Sequence, residues 1–305
     1  MNVLVTGVSG YVGSLVVPRL LRDGHTVTGL ARHPERVSVD GIAVVGGDAV
    51  TGAGLDRAMR GVEVAYYLIH SMEHANGDGF AARDRIAAEN FAAAARAAGV
   101  RRIVYLGGLV PEGGPRSAHL ASRLEVEEIL LAGSPSSVAL RASIVIGPRS
   151  RPFRFLVRLV ERLPVLALPR WRDNRTSPID ERDIAELLVL SATSETVGGQ
   201  ALDAGGREIV SYGELLERIQ ESMLVHRPTL RLGRLSLTPV AGHIAAVIAD
   251  EEYALIGPLM ESLETDLLPR DGEAAALLDV RLHSLDAAIE RSLRIWEQSD
   301  SLSAR

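Results

Sequence analysis

Thr6-Gly7-Val8-Ser9-Gly10-Tyr11-Val12-Gly13 stands between a short apolar run, Asn2–Thr6, and an amphipathic stretch, Tyr11–Asp23. The order is strand, glycine turn, helix, and each glycine answers a separate need. Gly7 permits a tight turn after the strand, Gly10 lets the backbone approach a pyrophosphate, and Gly13 lets the helix pack close to the sheet. With Thr6 and Ser9 in the turn, the helix start at Tyr11 and Val12 presents N–H groups and a positive dipole end to the phosphates. A lone glycine pattern is weak evidence. This one has a strand before it, a helix after it and a second strand at the right distance, the context a dinucleotide site requires.

The second strand, His25–Ala31, follows Gly24 and ends Leu30-Ala31-Arg32, with Arg36 one turn on and no carboxylate before Glu35. NAD sites place an acid there for the ribose 2′-hydroxyl, whereas a cation suits the 2′-phosphate, so Arg32 points to NADP(H). Asp48, after the third strand at Ile42–Val45, is placed to reach the adenine edge or to cap the helix that follows. Ligands of open α/β sheets bind at the carboxyl ends of strands, which adds Ala49, Leu68, Ile69, Gly107 and Ile144 to the expected cofactor contacts.

Further strands are expected at Val64–Ile69, Arg102–Leu106 and Ser137–Arg141, alternating with helices over Gly79–Ala98 and Ala118–Ala132. Pro18 should remove a hydrogen bond from the first helix or kink it. This alternation predicts an α/β fold, a Rossmann-type doubly wound parallel sheet. After Gly147-Pro148 prolines and arginines become frequent. The reading is a nucleotide-binding domain over residues 1–148, completed by segments from the second half, and a smaller C-terminal substrate cap over 149–305. Leu285–Trp296 reads as a final amphipathic helix capped by Ser284.

Composition removes several chemistries. The chain of 305 residues has no cysteine, which excludes disulfides, thiolate metal sites and a cysteine nucleophile. All 33 basic residues are arginine, so no Schiff base or P-loop lysine exists. The net charge of -6 argues against nucleic acid as a partner. Met1 runs directly into a strand pattern, and the apolar stretch Leu237–Ala249, broken by Pro239 and His243, is too short to span a bilayer. The expectation is a soluble cytoplasmic protein with a small-molecule substrate and no membrane or metal partner; a homodimer is left open.

Four further stretches, GGD at 46–48, YLIH at 67–70, RTSPIDERDIA at 175–185 and GGREIVSYGEL at 205–215, carry a resemblance together with the glycine turn. The chain resembles extended short-chain dehydrogenase/reductases, and most of all their atypical, NmrA-like branch. The resemblance implies a seven-stranded parallel sheet with substrate held between the sheet and the cap. It also implies a serine after strand five and a Tyr-x-x-x-Lys on the next helix, and here the chain departs. Gly107-Gly108 stands in place of the serine, no lysine exists, and none of the tyrosines (11, 66, 67, 105, 212, 253) lies on that helix.

His119-Leu120-Ala121-Ser122-Arg123 occupies the place, with the same spacing on one helix face. His119, with an ordinary pKa near 6.5, is the candidate proton donor. Arg123 is the candidate ribose ligand, although its charge favours the neutral imidazole. His70, where strand four meets its loop, is a second candidate. His70-Ser71-Met72-Glu73-His74 matches an inverted zinc-protease pattern, but it follows a strand and runs into a loop, so no metal is expected. Arg154, Arg158 and Arg162 form one basic face, read mainly as solvated. The function expected is an NADPH-dependent reductase of a carbonyl, imine or activated alkene. The alternatives are a non-enzymatic NADP(H) sensor and a cofactor-assisted epimerase.

Overall fold

The computed structural model describes residues 1–69, 79–115, 117–231, 263–270 and 274–299. The first half follows the predicted alternation: β1 (Asn2–Thr6), α1 (Tyr11–Arg22), β2 (Thr26–Ala31), β3 (Ala43–Gly46), α2 (Leu55–Ala58), β4 (Val64–Tyr67), α3 (Gly79–Ala97), β5 (Arg102–Gly108), α4 (Ala118–Leu131) and β6 (Val138–Ala142). The second half adds β7 (Val145–Ile146), α5 (Arg151–Arg162), β8 (Leu166–Leu168), β9 (Arg175–Thr176), β10 (Ile179–Asp180), α6 (Glu181–Ser191) and β11 (Gln200–Asp203). It closes with β12 (Val210–Ser211), α7 (Tyr212–Ser222), β13 (Thr229–Arg231), α8 (Ala274–Leu277) and α9 (Leu285–Ser299).

Seven strands form one sheet in the order β11-β6-β5-β4-β1-β2-β3. Every pairing in it is parallel. The chain builds outward from β1 through β2 to β3, then crosses to β4 on the other side. The order therefore reverses between β1 and β4, and a crevice opens beyond their carboxyl ends. The strand completed from the second half is β11, paired to β6.

The two-residue period of the strands divides the core. Val3, Val5, Tyr66, Val104, Leu140 and Leu202 face one side, with Val16, Val17 and Leu20 of α1 and Ile184, Leu187 and Leu188 of α6. Leu4, Ala65, Tyr67, Ile103, Tyr105 and Ala139 face the other, with Ala88, Phe91 and Ala95 of α3 and Val126 and Leu130 of α4. Alanine on α3 favours the helix and lets it lie close to the sheet.

Pro18 does not interrupt α1, which runs unbroken from Tyr11 to Arg22. It lies on the exposed face, where water can satisfy the carbonyl it leaves without a donor. A separate cluster organises the second half around Phe153, Phe155, Trp171, Tyr212, Leu285, Ile289 and Trp296. Ser284 Oγ accepts from Ala287 N at 3.4 Å at the start of α9.

The arginine face of α5 is only partly the solvated stripe expected: Arg162 is exposed, but the other two are covered. Arg154 and Arg158 lie 4.7 and 4.9 Å from the centre of the Trp296 ring, and Arg158, only 9 % exposed, also pairs with Glu161. Trp296 comes from the far end of the chain, and its ring face favours a cation. Among the described residues no helix is long and apolar enough to cross a membrane. Leu237–Ala249 and the 70–74 motif lie outside the described residues.

Candidate cofactor and active site

The glycine turn is shaped by backbone crowding on one side and openness on the other. Gly7 has φ +65°, and a side chain there would collide with the carbonyl of Leu68. Gly13 would collide with the carbonyl of Gly7 and lie 3.0 Å from Val8 Cα. Among the described residues Gly10 meets only that carbonyl, at 3.0 Å, and with Ser9 it is exposed. Thr6 is fully buried. Its hydroxyl donates to Tyr66 O and accepts from Leu68 N, both at 3.0 Å, so its contribution is to lock β1 against β4 beneath the turn. Among the described residues no side chain caps α1, and no acid stands in its first turn. The N–H groups at Tyr11, Val12 and Gly13 thus keep the positive potential that a pyrophosphate needs.

At the other end of the crevice Arg32, His33, Gly46, Gly47, Asp48, Ala53, Gly54, Asp56, Arg57 and Arg60 line an open cleft of about 820 Å³. Arg32 is exposed at the end of β2. Asp48 does not cap a helix. Its Oδ1 accepts from Val50 N at 2.7 Å, which folds the loop back on itself. That loop has a clamp the sequence reading missed: Asn90 Nδ2 donates to Ala49 O at 3.0 Å and Val50 O at 2.8 Å. Its only trace in sequence is an amide among the alanines of α3. Arg57, which donates to Gly46 O at 2.9 Å, was missed as well.

Strand four ends two residues earlier than expected, and the Leu68 carbonyl with the Ile69 side chain forms the wall opposite Gly7. Gly107 is the last residue but one of β5, where a Cβ would lie 3.0 Å from the Tyr105 ring. Ile144 is buried, and its carbonyl accepts from Ile179 N at 3.0 Å.

His119 and Arg123 share α4, whose start is capped by Ser117 Oγ accepting from Leu120 N at 3.2 Å. Arg123 Nη2 donates to Leu106 O at 2.6 Å, and its guanidinium lies 5.6 Å from the centre of the Tyr105 ring. The arginine is thereby tied to the end of β5. His119 Nδ1 is buried without a hydrogen-bond partner among the described residues. Burial, and after it the Arg123 charge, pulls the His119 pKa down to about 4. The expectation of a titration near 6.5 is therefore corrected: the imidazole is neutral at pH 7. His70 lies outside the described residues. Asp180, Asp183 and His283 bring ligand atoms within 4.8 Å of one another. Their carboxylates are engaged, Asp180 with Arg182 at 2.6 Å within the start of α6 and Asp183 with His283 at 2.5 Å, the second pair latching α6 to the segment before α9.

A switch-point crevice with an uncapped, glycine-lined helix start defines a dinucleotide-binding protein. The NAD(P)H-binding family profile matches residues 7–143. The chain is similar to a ceramide reductase of Caulobacter vibrioides, 26% identical over 298 residues covering 93% of both chains. It is 32% identical over 235 residues to (4-alkanoyl-5-oxo-2,5-dihydrofuran-3-yl)methyl phosphate reductase of Streptomyces griseus, covering 74% of each. Its fold matches Citrobacter sp. triphenylmethane reductase complexed with NADP(H), with a TM-score of 0.73 at 16% identity over 96% of this chain and 100% of that one. The chain belongs to the NAD(P)H-binding Rossmann-fold family, and its cofactor is NAD(P)(H).

Proposed function

We propose that the protein is an NADPH-dependent reductase of the atypical, NmrA-like branch. It acts on a carbonyl or activated alkene of a small molecule carrying an acyl chain. The bound cofactor supplies hydride. His119 offers a neutral imidazole N–H to the substrate oxygen on which charge develops, and Arg123 binds the nicotinamide ribose and fixes the end of β5. The described residues of the region 149–305 form the substrate's other wall. The observation that carries this reading is the buried Nδ1 of His119, which has no hydrogen-bond partner among the described residues and stands one helical turn from an anchored arginine. A polar atom is kept out of water without a partner only at a cost, and a ligand removes that cost.

Two features support the substrate and cofactor assignments. Relatives similar over most of the chain are named as reductases, and the name of the Streptomyces griseus protein's substrate contains an alkanoyl group and a ring alkene. Three guanidinium groups, from Arg32, Arg57 and Arg60, line the cleft expected at the 2′-phosphate.

The test is NADPH consumption with acyl-chain ketones and acyl-substituted enones. His119→Phe should lower kcat by about 10²–10³, the scale for losing one oxyanion donor, while the Kd for NADPH stays unchanged. Arg123→Ala should weaken NADPH and lower kcat together. Full activity in His119→Phe removes it from the chemistry. Tight NADPH binding without turnover of any such substrate favours the sensor.

A further inference from the structure

The C-terminal helix reaches the phosphate turn through one buried carboxylate. Glu181, the first residue of α6, is 4 % exposed. Its Oε2 accepts the phenol of Tyr11 at 2.8 Å, and its Oε1 accepts the guanidinium of Arg291, from α9, at 2.7 Å. Tyr11 opens α1, so its own backbone N–H belongs to the phosphate turn. Burial first, and the Glu181 charge second, raise the Tyr11 pKa, which keeps the phenol protonated and donating. Gly147 closes the arrangement from above, since any side chain there would collide with both the phenol oxygen and the Glu181 carboxylate. Residues 11, 147, 181 and 291 thus meet at one point behind the turn.

A carboxylate is electrostatically out of place so near a turn built for an anion. Charges in a buried setting act over several ångströms with little screening. Arg291 cancels that charge while leaving Glu181 free to hold Tyr11. We propose that Glu181 and Arg291 are positioning residues of the cofactor turn. Glu181 fixes the first residue of α1 and Arg291 neutralises it, so that docking of the C-terminal helix sets how tightly the pyrophosphate is held. The inference rests on the cofactor reading of residues 7–13 and is independent of the reductase chemistry.

The experiment measures cofactor dissociation constants by fluorescence at low and moderate salt, without substrate, using NADPH and NADH, which share the pyrophosphate. Arg291→Met should raise Kd about three- to tenfold, more at low salt, because it leaves an uncompensated charge. Arg291→Lys, which keeps the charge, should stay within about twofold of wild type. Adding Glu181→Gln to Arg291→Met should bring Kd back to within about twofold of Glu181→Gln alone, a coupling of opposite sign to a simple loss of packing. Tyr11→Phe, which leaves both charges in place, should weaken the cofactor and serves if Arg291→Met does not fold. A double variant that binds no better than Arg291→Met overturns the inference, as does unchanged affinity in Arg291→Met or in Tyr11→Phe. Absence of cofactor binding in the wild type would instead remove the reading of the turn itself.

Discussion

His119 should make the protein lose stability as the solution becomes mildly acidic, and its replacement should abolish that loss. In the unfolded chain the imidazole takes up a proton near pH 6.5. In the folded chain burial and Arg123 hold it neutral down to about pH 4. The unfolded state therefore binds more protons between those values, and stability rises with pH across the window. It is fully present above about 6.5, falls as the pH drops, and levels off below about 4. Linkage between those two values gives roughly 2 kcal/mol lost from pH 7.5 to pH 5. Urea unfolding of wild type and His119→Gln at those two pH values isolates the contribution, because other titrating groups are common to both. The mutant should lose about 2 kcal/mol less than the wild type on acidification. The same depression predicts no kinetic ionisation from His119 near 6.5, so kcat should be insensitive to this group from about pH 5.5 upward. An imidazole resonance titrating at pH 6 or above, or identical acid sensitivity in both proteins, would refute the reasoning.

The cofactor site yields two more expectations. Arg32→Ala should weaken NADPH about tenfold or more, the equivalent of roughly 1.5–3 kcal/mol for a charge-assisted hydrogen bond, and leave NADH unchanged. Calorimetric titration of both cofactors decides it, and equal affinities in the wild type would count against Arg32 as a 2′-phosphate ligand. Gly10→Val and Gly13→Ala should separate binding from folding. A side chain at Gly10 enters exposed space above the turn, so circular dichroism stays native while cofactor fluorescence is lost. One at Gly13 strikes the Gly7 carbonyl and crowds Val8, which should cost about 1–3 kcal/mol of stability and appear as a lower melting temperature.

The nucleotide half was legible because its signals are local. The glycine turn, the apolar strands and the alanine-rich helix over 79–97 each depend on neighbours within one element, and their boundaries fall within two residues of expectation. What escaped notice depends on contacts between distant residues. Trp296 lies more than 130 positions beyond the arginines it covers, so α5 alone reads as a basic face. Glu181 is separated from Tyr11 by 170 positions and from Arg291 by 110. Asn90 looked like one polar residue on a helix until β3 and its loop were set beside it. The pKa of His119 was misjudged for the same reason: the sequence identifies Arg123 as a neighbour, but the larger cause is burial, which only the packed fold reveals.

The pair on α4 has a chemical consistency of its own. A lysine beside a tyrosine lowers the phenol's pKa, and the tyrosine can then give up a proton and recover it. An arginine beside a histidine acts in the opposite sense on function, because its charge is permanent and pushes the imidazole further from the protonated form. Arg123 is held there by Leu106 O and the Tyr105 ring, so it cannot swing away to relieve the repulsion. A site built to use imidazolium as its acid would place a carboxylate next to the ring. Here the ring is half-buried, with its Nδ1 out of water, and stands one turn from a fixed cation. That arrangement suits a neutral N–H aimed at developing negative charge, with the arginine adding positive potential to the same region. On the proposed reading the final proton would come from solvent, and it is the oxygen's negative charge, more than its protonation, that His119 and Arg123 would stabilise.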